Sequence, residues 1–354
     1  MLSYLHGKLL AFNDEYDPIA ESKITHAISM LPDMPDIWLT LAEIQWKKKD
    51  FVGAKTSIEK SISLLKQNPA AMHKLSMVLR KIGKNPDEVY LNTKKSIDVA
   101  KEAVSLDVKN GLSWYILGNA HLSFFFLTGQ HYNVQDLNMA LSAFKQAEKS
   151  VEGLNKVDMY FNRATVYRYL EDYQLAINDL DSATSLDPDW PTPKQSKLQI
   201  TDMLQSIHKA ITSKGNLPQS KIKSFVASIN EDRNKNGFSQ LNQLNIGNNT
   251  GKVLVCTIVG LINNPTGIPL TTIVMDQDTE CVALSVYNLA SGILKVGNKI
   301  EINSPKLKDI TIKADGKAWD YKTIVVDVPT LIKINGKEIQ KDWIIGTAFT
   351  TSDK

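Results

Sequence analysis

Cysteine is nearly absent: Cys256 and Cys281 are the only two in 354 residues. So few exclude a disulfide framework or a multi-cysteine zinc site; both lie in strand-like apolar runs and are expected to be buried thiols in a reducing compartment. Histidine is scarce as well, with six residues scattered and no pair on one helical face. Neither a glycine-rich phosphate loop nor a Gly-x-Ser-x-Gly elbow occurs. The chain is therefore expected to be non-catalytic and to use neither metal nor cofactor. No run nears the ~20 apolar residues of a membrane helix. The opening Met1-Leu2-Ser3-Tyr4 lacks the basic start and apolar core of a secretory signal. A cytosolic protein without a membrane partner is expected, the nucleus remaining open. Formal net charge is only +3, so any contact with nucleic acid must be local.

What the sequence does contain is a repeat. The tetratricopeptide pattern is a helix pair of roughly 34 residues with bulky and small residues at set offsets and a closing proline. Its clearest copy runs from Asp158 to Pro188, with Tyr160, Ala164 and Tyr167 on the first helix and Ala176, Leu180 and Ala183 on the second. A copy at Trp114 has Leu117-Gly118, then Ala140, Phe144 and Ala147, with an insertion around Phe125 to Gln135. Another begins at Trp38, with Leu41-Ala42, Ala54 and Ile58, although Gln45 stands where a second aromatic is expected. A degenerate copy has Met72, Leu75-Ser76, Leu79, Ser96, Ala100 and Ala103, and residues 1–33 supply one more pair through Ala20, Ile24 and Ala27. A capping helix is predicted from about Lys194 to Ile211, because a terminal repeat cannot bury its open face alone. Such an array predicts a right-handed superhelix with a concave groove.

The groove-facing stripe follows from helical spacing on the first helix of each pair. It holds Leu39, Glu43 and Trp46; His73, Met77 and Arg80; Tyr115, Asn119 and Leu122; and Asp158, Phe161, Thr165 and Arg168. An arginine clamps a carboxylate with paired hydrogen bonds, an asparagine holds peptide backbone, and an aspartate takes a cation. The stripe suits a short peptide carrying an acidic and a basic residue. Spacing alone equally allows Arg80 and Asp158 as solvated charges, and favours His73 and Met77 as packing.

Beyond the array the character changes twice. From Met203 to Asn230 there is no acidic residue, while Lys209, Lys214, Lys221 and Lys223 all fall there. This stretch reads as a solvated linker first and as a phosphate-binding patch second. From Gly251 period-two runs of β-branched residues predict strands at Lys252–Leu261, Pro269–Met275, Cys281–Tyr287 and Tyr321–Asp327, a turn then strand over Val296–Ile302, and a helical piece at Leu289–Leu294. The predicted architecture is α + β in separate domains: an α-solenoid of tetratricopeptide repeats over 1–211, a basic then polar linker over 212–250, and a five-stranded OB-type β-barrel over 251–350. Tyr287, Trp319, Tyr321 and Lys322 are weak candidates for nucleic-acid contact, and a barrel that packs on the array is the alternative.

Several segments carry a resemblance. Leu75-Ser76-Met77-Val78-Leu79-Arg80, Ser113-Trp114-Tyr115-Ile116-Leu117-Gly118-Asn119, Thr128-Gly129-Gln130, Asn162-Arg163-Ala164-Thr165 and Leu186-Asp187-Pro188-Asp189-Trp190-Pro191 resemble the Strap family of tetratricopeptide repeat proteins, as do Val286-Tyr287-Asn288 and Ile334-Asn335-Gly336-Lys337. The resemblance implies recognition of the Met-Arg-Glu-type N-terminal peptide of nascent tubulin at the ribosome, followed by decay of the tubulin message through a recruited mRNA-decay adaptor. It also implies, as the alternative, a stress-responsive nuclear cofactor that scaffolds transcription coactivators of a histone acetyltransferase complex. The family's groove arginine and carboxylate fall on Arg80 and Asp158. Its ribosome-contacting lysines, which face rRNA phosphates near the exit tunnel, follow Ser213-Lys214-Gly215 and fall on Lys214, Lys221 and Lys223 with slipped spacing. The family's further helical segment before the first repeat is not seen in this sequence.

Overall fold

The structure, a computed structural model, describes residues 1–127, 134–150, 155–236 and 238–345. Two compact units divide between Met159 and Tyr160. The break falls inside a helix, upstream of the boundary the sequence pattern suggests. The Thr128-Gly129-Gln130 motif and most of the predicted insertion after Phe125 lie outside the described residues.

The first unit is built from helical hairpins: α1 (Leu2–Leu10) with α2 (Pro18–Met30), α3 (Pro35–Lys47) with α4 (Phe51–Leu64), α5 (Pro69–Leu79) with α6 (Pro86–Leu106), and α7 (Gly111–Leu127) with α8 (Gln135–Ala147). Local chemistry starts these helices. Asp17, Asp50, Asn68 and Asn85 each accept a hydrogen bond from a backbone N–H of the first turn. Proline opens α2, α3, α5 and α6, where its missing N–H has no cost. Between partners, small residues permit close approach: Ala20, Ala54, Ala71, Ala100, Ala120 and Ala140 are all fully buried. Gly118 on α7 is the extreme case, since a Cβ there would stand 2.5 Å from the Phe144 ring on α8.

The second unit holds most of α9 (Val157–Tyr169), then α10 (Tyr173–Leu186), α11 (Pro191–Thr212), α12 (Gln219–Asn236) and one nine-stranded sheet. Arg163 ties α9 to α10 within the last hairpin through two 2.7 Å hydrogen bonds to the Asp179 carboxylate. The strands are β1 (Gly247–Asn248), β2 (Val253–Leu261), β3 (Leu270–Met275), β4 (Cys281–Val286), β5 (Lys299–Asn303), β6 (Lys306–Ala314), β7 (Lys317–Val326), β8 (Ile332–Ile334) and β9 (Lys337–Glu338), in the order β1-β6-β7-β4-β3-β2-β5-β8-β9. Among the described strands, β4 and β7 pair in parallel and the other neighbours antiparallel. One face packs Leu254, Cys256, Ile258, Leu284, Ile300 and Ile324 into the barrel core. Val255, Thr257 and Val259, pointing the other way on β2, are buried too, because α11 and α12 lie over the outer face.

Three expectations need correction here. The basic stretch beyond Gly215 is not a linker but the amphipathic helix α12, with Ile222 and Ile229 buried. Residues Leu289–Leu294 make a bridge from Leu289 to Ile344 and a turn at Ser291-Gly292, not a helix. The sheet has more strands than the five predicted: β6 and β7 make a hairpin joined at Asp315-Gly316, with φ of 50° and 74°. That pair of positive φ angles is the conformation that an Asp-Gly dipeptide favours. Of the thiols, Cys256 is buried and Cys281 half-buried, and both are free.

The Gly118 contact yields a stability test. Alanine at 118 gains about 1 kcal/mol of helix propensity but overpacks against a fully buried ring at about 1–3 kcal/mol. Gly118→Ala is expected to lower the urea midpoint, and a larger loss is expected for Gly118→Val.

Candidate functional site

Arg80 is the first residue past the end of α5 and remains in a helical conformation. Its side chain crosses to α7, where Nη1 donates to the Asn119 carbonyl at 3.3 Å and to Ser123 Oγ at 3.1 Å. Nε reaches back to the Ser76 carbonyl at 3.4 Å. One turn before Asn119, the Tyr115 hydroxyl donates to the Asp158 carboxylate. Asp158 lies in the first turn of α9, where the helix dipole favours negative charge. Tyr115, Asn119 and Ser123 recur every fourth residue and so share one face of α7. That face engages the Asp158 carboxylate through Tyr115 and the Arg80 guanidinium through Asn119 and Ser123.

The stripe predicted from repeat spacing thus brings Arg80, Tyr115, Asn119 and Asp158 onto one wall of the first unit. These groups cover one another: Arg80 is 7% and Asp158 5% exposed. The reason is that the stripe residues of neighbouring first helices touch directly. His73 joins the same ladder, 2.8 Å from Ser113 on α7. Burial, helped by Lys74, lowers the His73 pKa to about 4, so the ring is neutral near pH 7. Met77 is half-buried and lines an apolar cleft with Trp46 and Val78. Ser123 was not foreseen, although its place eight residues after Tyr115 puts it on the same helical face.

The other candidates lie in the second unit. Phe161 rests on Trp190, with ring centroids 5.0 Å apart. Arg168 is buried and bonds Gln199 Oε1 of α11 and Asn264 Oδ1 of the β2–β3 connection, each at 3.3 Å. Burial lowers its pKa. Lys209, Lys221 and Lys223 are exposed on α11 and α12. Lys214 differs, because its ammonium donates to Thr279 Oγ1 at 2.7 Å. Beside it Gly215, with φ of 68°, is pressed so closely on β2 that a Cβ would meet the Val259 carbonyl oxygen at 1.9 Å.

The barrel aromatics are not placed to stack on bases. Tyr287, Trp319 and Tyr321 are all buried, and only Lys322 of that set is exposed. The Tyr287 hydroxyl lies 2.5 Å from the Tyr169 carbonyl and 3.2 Å from Glu171 Oε1. Glu171 sits in the α9–α10 turn at φ of 57° and also accepts from Ser285 Oγ at 2.7 Å. Lys308 of β6 closes the same turn by donating to the Leu170 carbonyl and to Asp172, at 2.8 and 2.7 Å. Among the described residues no three His, Cys, Asp or Glu side chains are grouped to hold a metal ion, and no helix is long and apolar enough to cross a membrane.

Helical hairpins of this repeat, followed by an OB-fold sheet, define a tetratricopeptide-repeat adaptor, a class that binds protein partners. Family comparison matches a tetratricopeptide repeat at residues 157–189 and the tetratricopeptide repeat protein 5 OB fold domain at residues 235–347. Tetratricopeptide repeat protein 5 of Mus musculus is 33% identical over 353 residues, covering 94% of this chain and 79% of the relative. The Homo sapiens protein is 32% identical over the same span. The chain belongs to the tetratricopeptide repeat protein 5 family. A tetratricopeptide repeat protein of Thermus thermophilus aligns with 51% of this chain and 88% of its own length, at 13% identity and a TM-score of 0.43.

Glu171 provides a pH test within the second unit. Burial raises its pKa above the ordinary 4.5, against the lowering effect of Ser285, Lys308 and Tyr287. A carboxyl whose folded pKa is raised loses folded-state stability as pH climbs from its unfolded value through its folded value. Glutamine has no such proton to lose. The melting temperature of Glu171→Gln relative to the unaltered chain is expected to shift in the variant's favour between pH 5 and pH 8. A constant difference across that range would contradict the assignment.

Proposed function

We propose that the chain reads the N-terminal Met-Arg-Glu-type peptide of nascent tubulin at the ribosome and thereby directs decay of the tubulin message. Asp158 takes the peptide arginine and Arg80 its glutamate. The observation that carries this reading is the α7 wall. Tyr115 and Asn119, about 6 Å apart along the helix, hold the acid and the guanidinium in fixed positions. Adjacent residues of an extended peptide are about 3.4 Å apart, and the long side chains of Arg and Glu span the remaining distance. Family membership supports the same reading.

The bonds that position Arg80 and Asp158 also favour a second role, as structural ties between α5, α7 and the start of α9. Anisotropy titration of a labelled Met-Arg-Glu-Ile peptide separates the two. A hydrogen bond to a charged group contributes about 1.5–3 kcal/mol. Arg80→Ala is therefore expected to weaken binding by about 10- to 150-fold and, because it also removes the bonds to Asn119 and Ser123, to lower the melting temperature. Unaltered affinity combined with a lowered melting temperature would leave only the structural role.

Ribosome docking falls to the exposed lysines Lys221 and Lys223 on α12, together with Lys209 on α11. Lys214 contributes by fixing the backbone that leads into α12, since its ammonium is held by Thr279. Reversing both charges, Lys221→Glu with Lys223→Glu, is expected to release the protein from sedimenting ribosomes and to leave peptide affinity intact. Retained co-sedimentation would favour the nuclear scaffold instead.

A further inference from the structure

β4 (Cys281–Val286) is a central strand of the second unit, between β7 and β3, and is buried over almost its whole length. It carries an anchor at each end. In the turn before it, Thr279 accepts a hydrogen bond from the Lys214 ammonium at 2.7 Å, where the chain passes from α11 to α12. Asp276 stiffens that turn. It is 1% exposed and accepts from the N–H groups of Asp278 and Glu280, each at 3.0 Å, and of Leu241 at 3.3 Å. At the far end Ser285 Oγ donates to Glu171, and the Tyr287 hydroxyl lies within reach of both Glu171 Oε1 and the Tyr169 carbonyl. One strand therefore ties the root of α12 to the α9–α10 turn of the last repeat.

Two more contacts brace the same repeat. Lys308 of β6 donates to the Leu170 and Glu171 carbonyls at 2.8 and 3.2 Å, and Asn264 of the β2–β3 connection accepts from Arg168 at 3.3 Å. Every group named here lies in one compact unit. We propose that the barrel is a rigid spacer. It holds the docking helix α12 and the last repeat at a set separation, so that a ribosome presenting its own nascent peptide is gripped at both places at once. This rests on the peptide and ribosome contacts assigned above. The geometry suits such a part. From Cys281 to Tyr287 the chain spans about 20 Å, with β3 paired along one side and β7 along the other. A slip of one residue would turn Val282, Leu284 and Val286 out of the barrel core, so the length is fixed. Two linked contacts hold more tightly than either alone, because the second is made within the complex. That gain is greatest when the spacer matches the distance to be spanned. A barrel used in this way needs no ligand of its own.

The test uses the full chain and three probes: a labelled Met-Arg-Glu-Ile peptide, ribosomes displaying a nascent chain with that N-terminus, and ribosomes displaying an unrelated chain. The unaltered chain is expected to bind the Met-Arg-Glu-Ile ribosomes about 100-fold more tightly than either other probe. Tyr287→Phe with Lys308→Met removes a hydroxyl and an ammonium that hold the α9–α10 turn, while the new ring keeps its packing on Tyr169. This double variant is expected to cut the gain about 10-fold and to leave binding of the free peptide and of the unrelated ribosomes within about twofold. A gain that survives the double variant, or an equal loss for all three probes, overturns the spacer. Should the double variant melt below the assay temperature, Tyr287→Phe alone decides: an unchanged gain overturns the spacer, and a reduced gain with both separate affinities kept supports it. If the unaltered chain binds the free peptide and the unrelated ribosomes but shows no gain, the spacer alone is overturned. If it fails to bind either of those two probes, the assigned contacts and the spacer fall together.

Discussion

The first unit depends on what one face of α7 does with its polar groups. Tyr115, Asn119 and Ser123 do not face solvent; they engage side chains from the helices on either side. A guanidinium or carboxylate removed from water is tolerated only where dipoles are already aimed at it. Here a tyrosine hydroxyl, a serine hydroxyl and two backbone carbonyls are so aimed. The arrangement requires α7 to lie close to α5 and to keep its register, and Gly118 meets this need by letting α8 approach from behind. Helix packing and charge placement are therefore a single constraint.

In the second unit the corresponding anchor is the turn between α9 and α10. Glu171 at its apex is grasped by hydroxyls of the β4 region, and Lys308 closes the turn from β6. The barrel thus uses aromatic and hydroxyl side chains, which in other OB folds serve ligands, to secure its own last repeat. Burial of both faces of β2 has the same origin, because α11 and α12 cover the side that an isolated barrel would expose.

Helix pairs were legible in the sequence because the signal repeats: small residues where helices meet, at a fixed spacing, with proline or Asx at many of the starts. The inner stripe was legible for the same reason, and it led to Arg80, Tyr115, Asn119 and Asp158. Their depth was not. Spacing along one helix fixes a direction but says nothing of how near the next helix comes, and here it comes near enough for the stripe to bury itself. The helix α12 was obscured by its lysines, although Ile222, Phe225 and Ile229 recur at helical intervals. The strand β6 was obscured by its charged residues Lys306, Lys308, Asp309 and Lys313, although Asp315-Gly316 marks its hairpin. Nothing in the sequence linked Arg163 to Asp179, which the packing of α9 on α10 sets 2.7 Å apart.

Gly215 and Lys214 have a wider consequence. Because the turn after α11 is locked onto β2 and onto Thr279, the helix that follows does not swing on a loose tether. A polyanion that meets its two outward ammonium groups finds their backbone already ordered. Only side-chain rotamers remain to be frozen, so the entropic penalty of association is smaller than a flexible basic tail would incur.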